Sequence, residues 1–108
     1  MVLTVEQRFE MESFSRLIEM TAPKDLLDIA AQLAKYTRQN RRINEHLAKK
    51  RASPLLDTED HLHLRAFEIE AGKMDPAELR KKVVAFRYEA YTLQKEYGEI
   101  FRKAWGEL

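Results

Sequence analysis

Cysteine is absent from all 108 positions. That excludes disulfides and thiolate metal sites, and it agrees with a reducing, intracellular setting. Glycine and proline occur three times each, and about a third of the residues are charged, a balance expected of a soluble all-helical protein. No stretch approaches the roughly 18 consecutive apolar residues of a membrane span. The first ten residues, Met1 to Glu10, lack the basic-then-apolar pattern of a secretory signal. A chain of this length makes one small domain, residues 1–108, with little room for an enclosed catalytic cavity. Charge of one sign is missing overall, since the formal net charge is +1, but it is unevenly spread. Lys35, Arg38, Arg41, Arg42, Lys49, Lys50 and Arg51 have only Glu45 as an acid among them.

What is present is one pattern used twice. A shift of about fifty residues lays Leu3, Glu6, Phe14, Pro23, Leu26 and Lys50 over Leu56, Glu59, Phe67, Pro76, Leu79 and Lys103. Each unit, residues 3–50 and 56–106, is expected to be a helix-turn-helix hairpin with a short and a long helix. A lone hairpin has no second surface to bury against, so the two units are expected to pack as a four-helix, pseudo-dimeric bundle.

Cap signals mark the helix ends. Thr4 with Gln7 forms a capping-box pattern, and Asp57 with Asp60 occupies the matching place, although Asp reaches back less well than Glu or Gln. Thr21 and Pro23 are expected to open the second helix, and Asp75-Pro76-Ala77-Glu78 the fourth. Gly72 is expected to end the third helix in a left-handed conformation. Pro54, after Lys49-Lys50-Arg51-Ala52-Ser53, keeps the second helix from continuing and makes a short link between units.

Both long helices carry heptad-like seams that suit near-antiparallel bundle or coiled-coil packing. One runs through Leu26, Ile29, Leu33, Tyr36, Asn40, Ile43 and Leu47. The other follows Leu79, Val83, Phe86, Ala90, Leu93, Tyr97, Ile100 and Ala104. At about 1.5 Å per residue each helix is on the order of 40 Å long, more than its short partner can cover. Asn40 either fixes register within the seam or lies solvated at its edge. Tyr88, Tyr91, Phe101 and Trp105 fall outside the seam, where they either widen the packed face or meet a partner.

No catalytic constellation emerges. His61 and His63 are two apart and point to nearly opposite helix faces, so they cannot share a metal; Glu59 and His63 suit a local ion pair. There is no glycine-rich phosphate loop and no serine or threonine in an activating context, so neither catalysis nor a cofactor is expected. The basic face of Arg38, Arg41 and Arg42 lies mostly off the seam. It offers either phosphate contacts to nucleic acid or a match for an acidic protein surface. Near-neutral charge and the lack of a helix-turn-helix DNA-binding pattern disfavour nucleic acid. Replacing these three arginines is expected to leave the fold intact.

The run from Leu56 to Glu68, Leu-Asp-Thr-Glu-Asp-His-Leu-His-Leu-Arg-Ala-Phe-Glu, resembles the first helix of the NblA proteins of cyanobacteria and red-algal plastids, with its Leu-Ser/Thr-x-Glu-Gln-x-Phe opening. Met74 follows at the turn. Tyr97-Gly98-Glu99-Ile100-Phe101-Arg102-Lys103-Ala104-Trp105-Gly106 is similar to that family's Tyr-x-Glu-Leu-Leu-Lys-His-x-Trp-Gly ending. Leu3-Thr4-Val5-Glu6-Gln7-Arg8-Phe9 matches the opening again, with Phe14 and Met20 after it. The first unit's ending, Ile43 to Lys49, is looser and lacks Trp-Gly.

The resemblance implies a tandem form of small helical hairpins that otherwise pair as four-helix homodimers. NblA proteins attach to phycobilisomes during nutrient starvation and are thought to bring a Clp-type chaperone-protease to them. The implied setting is the cytoplasm, at the thylakoid surface with the phycobilisomes. By motif position, phycobiliprotein binding falls to Ile100, Arg102 and Trp105, with Lys103 beside them. His46 and Ala48 stand at the matching places in the first unit, so the two ends are expected to differ. Two roles stay open: a degradation adaptor, or a non-degradative linker joining the antenna to another photosynthetic complex. A generic helical interaction module is the remaining alternative.

Overall fold

The computed structural model describes residues 2–106; Met1, Glu107 and Leu108, which the 1–108 domain span includes, lie outside the described residues. Among the described residues there are four helices and no strand: α1 (Val5–Glu19), α2 (Pro23–Leu47), α3 (Thr58–Ala71) and α4 (Pro76–Trp105). No helix is long and apolar enough to cross a membrane among those residues.

Caps set most of the boundaries. Thr4 and Gln7 exchange both bonds of a capping box, at 3.0 and 3.1 Å. Asp57 and Asp60 do the same at 2.9 and 3.0 Å, so the short Asp side chain reaches back after all. Asp75 accepts from the amides of Ala77 and Glu78 ahead of Pro76. Two expectations are corrected. Ala22, without a side-chain cap, precedes Pro23, while the Thr21 hydroxyl donates back to the Leu17 carbonyl at 2.7 Å. Gly72 ends α3 with φ −64°, right-handed.

Among the described residues the left-handed one is Lys49, at φ 61°. Lys50 N–H donates to the Glu45 carbonyl at 2.8 Å and Lys49 N–H to that of His46 at 3.0 Å. This is the bonding of a Schellman turn, usually built on glycine. It stops α2 before Pro54 and swings the chain back along the helix toward α3.

The long helices run side by side in the same direction. Arg41 pairs with Glu89, and Asn44 donates to the Leu93 carbonyl at 3.1 Å, so later residues of α2 meet later residues of α4. The expected near-antiparallel arrangement of the seams is thereby corrected. Each short helix lies antiparallel on the long helix of the other hairpin. On α4, Ile18 of α1 meets Arg80 and Glu10 meets Tyr91; on α2, Asp60 of α3 meets Arg38 and Arg42. The core gathers where all four helices come together, with Ile18, Leu26, Ala30, Ala71, Leu79 and Val83 buried and Phe14, Leu33 and Phe67 packed around them. Phe67 meets Phe86 edge to face at 5.4 Å. Arg80 closes the C-terminal end of α1, donating to the Ile18 carbonyl at 3.3 Å, where cations suit a helix terminus.

The buried face of α2 is turned relative to the expected seam. Leu26, Ala30, Ala34, Thr37 and Asn44 are buried, whereas Tyr36, Ile43 and Leu47 stay open. Small side chains at 30, 34 and 37 let α4 and α3 approach α2 on neighbouring sides, and contact with two helices displaces the inward direction from the bulky stripe. On α4 the seam holds through Leu79, Val83, Ala90 and Leu93 and then opens at Tyr97. Tyr91, outside the expected seam, is buried against α1. Of the two asparagines it is Asn44 that ties α2 to α4; Asn40 donates to the Tyr36 carbonyl of its own helix, at 3.0 Å. The result is a flattened bundle with Cα extents of 49 × 38 × 16 Å.

Candidate docking site

Past the core, the C-terminal halves of α2 and α4 continue as a pair. Leu47 of α2 and Ile100 of α4 line one groove, and α4 runs on for five residues more. That overhang, about 7 Å at 1.5 Å per residue, carries the residues of interest. Gly106 ends it. Its N–H donates to the Arg102 carbonyl at 2.7 Å, and a Cβ at this position would meet that oxygen at 2.6 Å, so glycine is required for the tight stop.

Tyr97, Phe101 and Trp105 recur every four residues and stack in sequence, with centroids 6.4 and 6.0 Å apart and ring planes 23° and 24° from parallel. They are 46, 52 and 62% exposed. Three stacked rings make a stiff apolar ridge whose side-chain entropy is already reduced, the condition under which aromatic residues bind strongly. The ridge passes from Tyr97, beside α2, to Trp105, beyond it.

The four residues expected to bind partner do not share one surface. Ile100, half-buried, and Lys103 line the groove with Leu47, Lys49, Glu96 and Glu99, a volume of about 520 Å³. Trp105 stands on the aromatic ridge and is not in that groove. Arg102 is exposed. Tyr97 and Phe101 complete the ridge. Their signal in the sequence was the four-residue spacing to Trp105, which was hidden because Tyr97 counted as seam and Phe101 as surplus.

The arginines from the basic stretch are drawn inward. Asp60, with no exposed surface, receives Arg38 Nη1 at 2.7 Å and Arg42 Nη2 at 2.6 Å on Oδ1, while Arg51 approaches Oδ2 at 3.5 Å. Arg42 also donates to Glu45 at 2.9 Å, Arg51 to Asp57 at 3.0 Å, and Arg41 pairs with Glu89. Hydrogen bonds from Arg42 hold the Asp60 carboxyl far below the usual carboxylate range against the opposing effect of burial; the amide of Asp57 and Arg38 add to this. Arg42 is raised in turn by its bonds to Asp60 and Glu45. Arg38 and Arg42 are therefore contacts between α2 and α3 rather than a free basic surface. His46 braces the same link, donating from Nδ1 to the Arg51 carbonyl at 3.1 Å. His63 lies 3.6 Å from Glu59 on α3.

No protein-family model, curated protein sequence or solved structure matches this chain.

Proposed function

We propose that the chain is a non-catalytic adaptor of the NblA kind, a dimer-like pair of hairpins in one polypeptide that docks through the C-terminal end of α4. The observation that carries this reading is the exposed stacked ridge of Tyr97, Phe101 and Trp105 on an overhanging helix end. The crossing of each short helix to the other hairpin's long helix supports the pseudo-dimeric reading. Phycobiliproteins of the phycobilisome core or rods are the partner that the resemblance points to, and a Clp-type chaperone-protease is the second. Trp105 is the anchor, and the exposed Arg102 supplies charge for an acidic surface, while Ile100 and Lys103 stand in the separate groove. Nucleic acid is disfavoured because Arg38, Arg41 and Arg42 already have carboxylate partners within the chain.

The test is capture of purified phycobilisomes by immobilised protein, read by pigment absorbance. Trp105→Ala should weaken capture by about thirtyfold or more, the loss expected from truncating a hot-spot tryptophan, with helix content by circular dichroism unchanged. Failure of the unaltered chain to retain any pigmented protein overturns the reading. The alternative, a non-degradative linker between the antenna and another photosynthetic complex, uses the same docking end and differs in retaining no Clp chaperone.

A further inference from the structure

Opposite the side where α3 packs, α2 and α4 leave an open trough of about 420 Å³ lined only by these two helices. Its walls are Tyr36, Asn40 and Ile43 on α2, and Ala90, Gln94 and Tyr97 on α4. None of these is charged, in a chain where 34% of residues are. The same stripe of α2 extends through Gln39 and Leu47, again without a charge, although Lys35, Arg38, Arg41, Arg42 and Glu45 crowd the rest of the helix. A solvated helix face of this protein would carry several charges. Tyr36, Ile43 and Leu47 moreover belong, with Asn40, to one heptad stripe, the spacing that receives another helix, yet these three are exposed. Depletion of charge with retention of tyrosine is the mark of an interface core rather than of a rim.

The dimensions agree. The chain exposes 7918 Å², whereas a compact monomer of 12.8 kDa exposes about 6,300 Å². Its radius of gyration is 15.7 Å against about 13 Å for a compact chain of this length. The excess surface of roughly 1,600 Å² is about twice what each partner contributes to a standard interface and falls in the range of obligate dimers.

We infer that this trough is a self-association face, and that the occupant is a second copy of this chain seated on it across a two-fold axis. A second copy fits better than a charged partner for two reasons. The face is uncharged, and its amides, Asn40 and Gln94, each carry a donor and an acceptor, so the surface can pair with itself. A net charge of +1 adds almost no repulsion between copies. Tyr97 is shared by the trough and the aromatic ridge, but Phe101 and Trp105 lie outside the trough, so a dimer keeps the outer two rings of each docking end free. The inference stands without the adaptor reading, because mass is measured on the protein alone.

Sedimentation equilibrium over a dilution series should give twice the 12.8 kDa chain mass. Ile43→Glu should return the monomer mass with helix content unchanged. Phe9→Glu, on the exposed outer side of α1, should leave the dimer intact. Because the chain has no cysteine, a single Gln39→Cys offers a second reading that does not depend on a disruptive charge. A short bis-maleimide should join Gln39→Cys chains, but not chains carrying Arg65→Cys on α3. A monomer mass for the unaltered chain at about 100 µM, well above the micromolar range of ordinary complexes, overturns the inference. Dissociation by Phe9→Glu but not Ile43→Glu, or equal cross-linking from both cysteine positions, overturns it as well.

Discussion

The two places where a short helix lies on a long one share a backbone arrangement and little of their chemistry. In the register that lays Leu3 over Leu56, Asp60 takes the place of Gln7, and Arg38 the place of Tyr91. Between α3 and α2 a fully buried carboxylate is held by Arg38 and Arg42 and approached by Arg51 from the link. Between α1 and α4 the contact is a buried tyrosine donating to Glu10, with Arg87 over the ring at 5.1 Å and 3.9 Å from the same acid. The α3 junction thus ties helix, link and helix into one charged knot. The α1 junction relies on aromatic packing and keeps Val5, Phe9 and Leu17 open to solvent. A duplicated outline does not oblige equal energetics: one junction depends on a single irreplaceable charge, whereas the other spreads its stabilisation over several replaceable contacts.

The hardest blow to this contrast comes from Asp60→Asn. The shape is preserved and the charge removed, leaving arginines that are only about a fifth exposed without their counter-ion. Breaking a buried pair in this way costs about 3 kcal/mol or more, which for a domain of this size lowers the melting temperature by at least about 10 °C. Arg42→Ala should cost less, because Arg38 and Arg51 still face the carboxylate. Should Asp60→Asn melt within a degree or two of the unaltered chain, the knot contributes little and the two junctions are alike.

Acid sharpens the comparison with a smaller effect. The Asp60 carboxyl is held well below its value in an unfolded chain, near 3.9. Its stabilisation is therefore fully present above about pH 5. It is lost as pH falls below the unfolded value, where the unfolded chain takes up a proton that the folded chain refuses. Urea midpoints should fall between about pH 4 and pH 2 in the unaltered chain, and less steeply in Asp60→Asn. An identical acid slope in both would show that other carboxylates set the limit.

Helix number, the capping boxes at Thr4 and Asp57 and the N-cap at Asp75 were legible in the sequence because caps and periodicity are local signals. The direction of α2 relative to α4 was not, since a heptad stripe marks a packed face and carries no sign for the partner's direction. The buried face of α2 was misplaced for a related reason. Alanines at 30 and 34 look neutral in sequence, yet their small size is what admits two neighbouring helices, while the bulky stripe of Tyr36 and Ile43 drew attention to the open side. Arg38 and Arg42 looked like free surface because their counter-ion lies 22 and 18 residues away on another helix. The exposed Trp105 was foreseeable from its place at a helix end, whereas its stack with Phe101 and Tyr97 needed all three rings to be taken as one stripe.

The mildest test falls on the α1 junction. Tyr91→Phe keeps the buried ring and the Arg87 contact but deletes the hydroxyl that donates to Glu10. Glu10 stays half in solvent and keeps Arg87 nearby, so no buried charge is stranded, and the loss should be about 1 kcal/mol. The phenol also gives this junction a pH signature opposite to that of Asp60. Burial, and then the bond to Glu10, raise the Tyr91 pKa above its ordinary value near 10. A raised value in the folded state means stability that is present below about pH 10 and lost as pH climbs through the folded value. The unaltered chain should therefore weaken on the alkaline side through Tyr91, and Tyr91→Phe should weaken less there, while its acid limb matches that of the unaltered chain. Chemical denaturation at neutral and alkaline pH separates the outcomes. If Tyr91→Phe costs as much as Asp60→Asn at neutral pH, the α1 junction also hangs on one group, and the asymmetry between the two halves disappears.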